Sequence, residues 1–133
     1  MFAALCDDDK HITEEVKKLL LEYAKDNRVT IDIDEFESGE ELLNSEKSYD
    51  IIVLDYQLGS TDGLTVAKKL RKRNVLSCII FLTSYPQFMI DAFEVNTFRF
   101  LLKPIDKSKF YKAIDDYVKI VDANYPITVI QNK

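Results

Sequence analysis

A chain of 133 residues, 47% hydrophobic and 31% charged, has the apolar content for one packed core and little room for a second. Its net charge of −5, from 23 acidic and 18 basic side chains, is the wrong sign for a domain that binds nucleic acid by itself. The two cysteines, Cys6 and Cys78, make no disulfide framework and no metal-type pair, and no apolar run approaches the roughly 20 residues of a membrane helix. Buried thiols and a start without a signal peptide predict a cytoplasmic protein.

The first apolar run, Phe2-Ala3-Ala4-Leu5-Cys6, reads as a strand and is closed by Asp7, Asp8 and Asp9. Ile12, Val16, Leu19, Leu20 and Tyr23 then recur at helical spacing, the mark of one buried face. Thr30 to Phe36 predicts a second strand with the imperfect alternation of a sheet edge. Ser38-Gly39-Glu40-Glu41 reads as a capping box that opens a helix, with Ser38 as the cap and Glu41 reaching back three residues. Ile51-Ile52-Val53-Leu54 is apolar throughout, as a central strand covered on both faces must be, and it ends at Asp55.

Gly63 to Arg73 predicts a third helix, whose basic run Lys68, Lys69, Arg71, Lys72 and Arg73 suits solvated cations near a helix C-terminus. Cys78 to Leu82 is another continuous apolar strand, ending at Thr83. Pro86 to Glu94 predicts a short helix, and Phe98 to Leu102 a fifth strand ending at Lys103-Pro104. Phe88, Phe93, Phe98 and Phe100 are expected mostly in the core, with part of the cluster left for a partner face. Lys107 to Asp122 is helical, with Phe110, Ala113, Ile114, Tyr117, Val118 and Val121 as its stripe. After a turn-like Ala123-Asn124-Tyr125-Pro126, the run Ile127-Thr128-Val129-Ile130 reads as a lone strand. The expected division is a domain over 1–122 and a linker over 123–133 that begins a further domain.

Five strands alternating with helices predict an α/β fold with a doubly wound parallel sheet, of flavodoxin-like strand order 2-1-3-4-5. Such sheets bind ligands beyond the carboxyl ends of their strands. Four strand ends deliver Asp7-Asp8-Asp9, Asp55, Thr83 and Lys103 to that one rim. Crowded carboxylates repel one another, and a hard divalent cation relieves the repulsion. A carboxylate can accept a phosphoryl group, and phosphoryl transfer demands charge neutralisation more than proton chemistry. Each residue alone suits a turn, a helix cap or a solvated charge; their joint placement carries the inference. His11, the single histidine, is expected to be solvated.

The motifs Cys6-Asp7-Asp8-Asp9, Ile51-Ile52-Val53-Leu54-Asp55, Asp62-Gly63, Phe81-Leu82-Thr83-Ser84 and Phe100-Leu101-Leu102-Lys103-Pro104 together resemble a response-regulator receiver domain over residues 1–122. The resemblance implies a CheY-like fold and a two-component signalling role, as a regulatory phosphoacceptor rather than an enzyme on other substrates. It implies that Asp55 accepts a phosphoryl group from a sensor histidine kinase. Mg²⁺ (or Mn²⁺) would be held by Asp8, Asp55, the Gln57 backbone carbonyl and, through water, Asp7. Thr83 and Lys103 would hold phosphoryl oxygens, Phe100 would be the switch aromatic, and Lys103-Pro104 would be cis.

The stretch Ala92-Phe93-Glu94-Val95-Asn96-Thr97-Phe98-Arg99-Phe100-Leu101-Leu102-Lys103-Pro104-Ile105 resembles receivers joined to LytTR-type DNA-binding domains. That implies DNA binding only through the effector, and a homodimer through the face of the fourth helix, fifth strand and fifth helix. One departure from the family is Leu58-Gly59 where many receivers carry Met-Pro. Asp7-x-Asp9 also fits the opening motif of haloacid-dehalogenase phosphatases, but Lys10 stands where that motif wants Thr or Val. A receiver lookalike used only for dimerisation would not need the full acidic, hydroxyl and ammonium set. A flavodoxin would need a Ser/Thr/Gly-rich phosphate loop after the first strand.

Overall fold

The computed structural model describes the backbone of residues 1–59 and 61–131 and the side chains of 1–59 and 61–122. Strands β1 (Phe2–Cys6), β2 (Asp32–Phe36), β3 (Ile51–Asp55), β4 (Cys78–Thr83) and β5 (Arg99–Leu102) form one sheet. Its order is β2-β1-β3-β4-β5, with every pairing parallel. The order reverses at β1, which pairs β2 on one side and β3 on the other, and this opens the crevice in which such folds bind ligands.

Helices α1 (Lys10–Asn27), α2 (Gly39–Asn44), α3 (Gly63–Lys72), α4 (Met89–Phe93) and α5 (Lys107–Gln131) join and cover the strands. Alternate strand residues explain the two layers. Ile51 and Val53 face a core shared with Val16 and Leu20 of α1 and with Phe110 and Ile114 of α5. Ile52 and Leu54 face the opposite core, against Leu42 of α2, Val66 and Leu70 of α3 and Ala92 of α4. β2 is the edge strand its mixed pattern predicts, although it begins at Asp32 rather than Thr30.

Local signals set most boundaries. Ser38 caps α2, its side chain accepting from Glu41 N at 3.2 Å. Glu41 reaches back four residues to Glu37 N at 3.5 Å, one residue beyond the predicted partner. Ser38→Ala is expected to lower the unfolding free energy by about 1 kcal/mol, read from the urea midpoint at unchanged slope.

Two expectations are corrected. The predicted helix at 86–94 divides into a 3-10 turn, Pro86–Phe88, and the short α4. Phe93 on α4 is 73% exposed and is the member of the phenylalanine cluster left outside the core. The tail read as a strand over Ile127–Ile130 is helical instead, because α5 continues to Gln131. Pro126 removes one backbone donor there without ending the helix, and β-branched residues set only a weak preference. Among the described residues no helix is long and apolar enough to cross a membrane.

Candidate functional site

The site is assembled from the four strand ends that the sequence singles out. Asp7 follows β1, and its N–H donates to Phe36 O at 3.2 Å, which holds the loop start in line with the sheet. Its Oδ1 accepts from Asp9 N at 2.9 Å and its Oδ2 from Lys103 Nζ at 3.1 Å. Asp9 turns away to cap α1, accepting from His11 N at 2.9 Å, so the third aspartate of the cluster is structural. The His11 side chain is exposed, as predicted.

Asp55 closes β3 between β1 and β4 and is buried. Its Oδ1 accepts from Gln57 N at 3.3 Å and its Oδ2 from Lys103 Nζ at 3.3 Å. Carboxylate oxygens of Asp7, the exposed Asp8 and Asp55 all lie within 4.8 Å of one another. Lys103 reaches them because its N–H donates to Thr83 O at 2.7 Å, which continues the β4–β5 ladder past Leu102. The Lys103-Pro104 peptide is cis, as the motif implies. Thr83 is buried, and its Oγ1 accepts from Tyr85 N at 3.3 Å.

The charges do not balance. Three carboxylates cluster where Lys103, paired with Asp7 and Asp55, supplies one ammonium. Burial, then the charge of Asp7, pushes the Asp55 carboxyl up to about 6, against the opposing pull of Lys103 and the Gln57 N–H. Burial works to lower the Lys103 pKa, but Asp55 and Asp7 outweigh it and hold that pKa above its ordinary value. A crowded set of carboxylate oxygens with excess negative charge fits a hard divalent cation with oxygen ligands.

The loop beyond Asp55 explains the departure at Leu58-Gly59. Gln57–Leu58 pairs antiparallel with Thr61–Asp62, Leu58 is buried, and Gly59 turns the chain at φ 65°. That left-handed conformation is open to glycine and closed to the proline that the receiver pattern would place there.

The response regulator receiver domain model matches residues 3–115 of this chain. The chain belongs to the response-regulator receiver family. It is 33% identical over 120 residues to the sensory transduction protein LytT of Bacillus cereus, covering 90% of this chain and 48% of that protein. It is 30% identical over 115 residues to the transcriptional regulatory protein LytR of Staphylococcus aureus, covering 86% of this chain and 46% of that protein. The receiver thus spans about half the length of these curated relatives. Among solved structures, the response regulatory domain of mrkE from Klebsiella pneumoniae superposes with a TM-score of 0.83 at 21% identity, covering 92% of this chain and 99% of that one. The response regulator TrrA of Thermotoga maritima, solved with Mg²⁺ and beryllofluoride, gives 0.75 at 26% identity, covering 87% and 97%.

This receiver brings together Asp7, Asp8, Asp55 and Lys103, with Thr83 one strand away. Phe100 is half-buried in β5, tilted against Phe81 with centroids 6.5 Å apart. Two buried-contact residues were missed from sequence, Tyr56 beside the site and Arg71 at the opposite edge of the sheet. Arg71, read as a solvated cation, donates to the carbonyls of Val75, Val95 and Asn96. Tyr56, directly after Asp55, is buried with its hydroxyl on Asp91. A polar aromatic ending a run of apolar strand residues was the only available signal.

Proposed function

We propose that this receiver is the phosphorylation-controlled input of a LytTR-type transcription regulator, with Asp55 as the phosphoryl acceptor. The observation that carries this is the clustering of Asp7, Asp8 and Asp55 carboxylates at the carboxyl edge of the sheet, with the Lys103 ammonium paired to both Asp7 and Asp55. An Asp55 carboxylate oxygen attacks the phosphorus of a phosphohistidine on a sensor histidine kinase. The new P–O bond forms as the P–N bond breaks, and the imidazole leaves with that electron pair and takes up a proton. Lys103 and Thr83 hold phosphoryl oxygens as charge develops on them. Asp8, Asp55, the Gln57 carbonyl and, through water, Asp7 would hold Mg²⁺ (or Mn²⁺), which would supply the charge neutralisation that phosphoryl transfer requires. Asp7 already bridges Lys103 and Asp9 N, which suits a ligand acting through water. The domain acts on its own phosphoryl group alone, in transfer and in hydrolysis.

Thr83 then moves toward the phosphoryl group and Phe100 turns into the vacated space. This biases the face of α4, β5 and α5 toward a homodimer. Met89, Ile90, Phe93 and Leu102 expose apolar surface there. Residues 1–122 form the receiver, and 123–133 lead toward an effector that makes the DNA contact. Reducing conditions in the cytoplasm suit the two free cysteines.

The test is phosphoryl uptake from labelled acetyl phosphate. Uptake of up to one group per chain with Mg²⁺, and none with EDTA, supports the proposal; no uptake in either buffer overturns it.

The metal site also predicts a pH signature. The folded Asp55 carboxyl, at about 6, lies above its ordinary 3.8, so the metal-free fold binds that proton more tightly than the unfolded chain does. Its stabilising contribution is complete below about pH 4 and is lost as pH rises through about 6. Metal binds the ionised form and acts in the opposite sense. The rise in melting temperature on adding Mg²⁺ should therefore grow from pH 5 to pH 7.5, and a rise independent of pH would contradict this site.

A further inference from the structure

Helix α4 is lightly anchored. Ala92 is its one buried residue, while Ile90 and Phe93 are 78% and 73% exposed. An element with so little buried apolar surface is held in place by a few specific contacts. Side chains from α3 and from the end of β3 grip its two ends. At the C-terminal end, Arg71 donates from Nε to Val95 O at 2.7 Å and from Nη2 to Asn96 O at 3.1 Å. Its Nη1 meanwhile donates to Val75 O at 2.7 Å, just past α3, so one guanidinium ties the ends of both helices together.

At the N-terminal end, Tyr56 stacks on Phe88 with centroids 3.9 Å apart and planes 2° from parallel. The Tyr56 hydroxyl donates to Asp91 Oδ2 at 3.3 Å. Phe88 in turn meets Tyr85 edge-on at 5.8 Å, and the Tyr85 N–H donates to Thr83 Oγ1. Two lines from the site therefore converge on the Phe88 ring. One runs from Asp55 through its covalent neighbour Tyr56, the other from Thr83 through Tyr85.

We infer that Tyr56 is a positioning residue that couples the Asp55 site to α4. Its ring and hydroxyl latch the N-terminal end of α4 in the resting position, and Arg71 serves as the pivot at the other end. The inference rests on Asp55 being the phosphoryl acceptor. When the Thr83 hydroxyl leaves Tyr85 N for a phosphoryl oxygen, Tyr85 loses its anchor and Phe88 the packing behind it. The Tyr56–Asp91 bond and the Tyr56–Phe88 stack then still oppose movement of the N-terminal end of α4. Removing that bond favours the moved state, and by linkage it tightens binding of whatever selects that state.

The test uses Mg²⁺ with beryllofluoride as a phosphoryl mimic. Tyr56→Phe keeps the ring stack and loses the hydroxyl; Asp91→Ala loses the same bond from the other side. Each should bind the mimic two- to tenfold more tightly than the parent, and the double variant no more tightly than either single one. Amides of Met89–Phe93 should also exchange faster in both variants without ligand. Unchanged affinity, or additive effects in the double variant, overturns the coupling even when the parent binds normally. A parent that binds no beryllofluoride removes the phosphoacceptor proposal and the coupling with it, while hydrogen exchange still decides whether Tyr56 holds α4.

Discussion

Asp55→Asn should leave the protein folded and unable to take up a phosphoryl group, with labelling from acetyl phosphate lowered roughly a thousandfold or more. The amide has almost the shape of the carboxylate, so the Gln57 N–H keeps an acceptor. What disappears is the proposed nucleophile and one of the two negative charges that share Lys103. The metal-free variant should be more stable than the parent, by an amount on the order of 1 kcal/mol, because a buried carboxylate beside Asp7 is relieved. Stability and labelling thus move in opposite directions. Lost labelling in an unfolded variant would say nothing about the site, so urea denaturation of both proteins belongs in the same experiment.

Gly63→Ala is the second large effect, and it falls on the fold. Gly63 opens α3, with Asp62 as its cap accepting from Thr65 N at 2.7 Å. Its own N–H donates to Tyr56 O at 2.6 Å, which draws the helix start against the end of β3. A methyl group at this position collides with the Asp55 backbone carbonyl and meets Phe81 Cε1 at 3.1 Å. Neither neighbour yields easily: Asp55 is paired to Leu82 in the sheet, and Phe81 is fully buried. The expected loss is about 3 kcal/mol, at the upper end of ordinary overpacking because backbone rather than a flexible side chain is in the way. Urea denaturation measures it, and a change under about 0.5 kcal/mol would contradict the close packing of α3 on β3.

Most of the site was legible in the sequence, for a physical reason. β3 and β4 are covered on both faces, so they are written as unbroken apolar runs, and the first polar residue after each run marks the carboxyl edge. Asp55 and Thr83 are found that way, and parallel topology brings Asp7 and Lys103 to the same edge. The latch and pivot on α4 were not legible. Arg71 meets carbonyls 24 and 25 residues away, and Tyr56 meets an acid 35 residues away; neither pairing leaves a local pattern. Arg71 looked like its solvated neighbours because composition does not reveal which member of a basic run turns inward. The tail misled for the opposite reason: Ile127 to Ile130 carry strand-like residues, but α5 continues its own hydrogen-bond ladder through them.

The central claim is that Asp55 carries the phosphoryl group. Borohydride reduction after incubation with acetyl phosphate and Mg²⁺ converts an aspartyl phosphate to homoserine, and peptide mass spectrometry locates it. Homoserine at position 55, absent when EDTA replaces Mg²⁺, is the predicted result. Homoserine elsewhere with Asp55 intact, or a phosphoryl group that resists borohydride on a hydroxyl side chain, would contradict it.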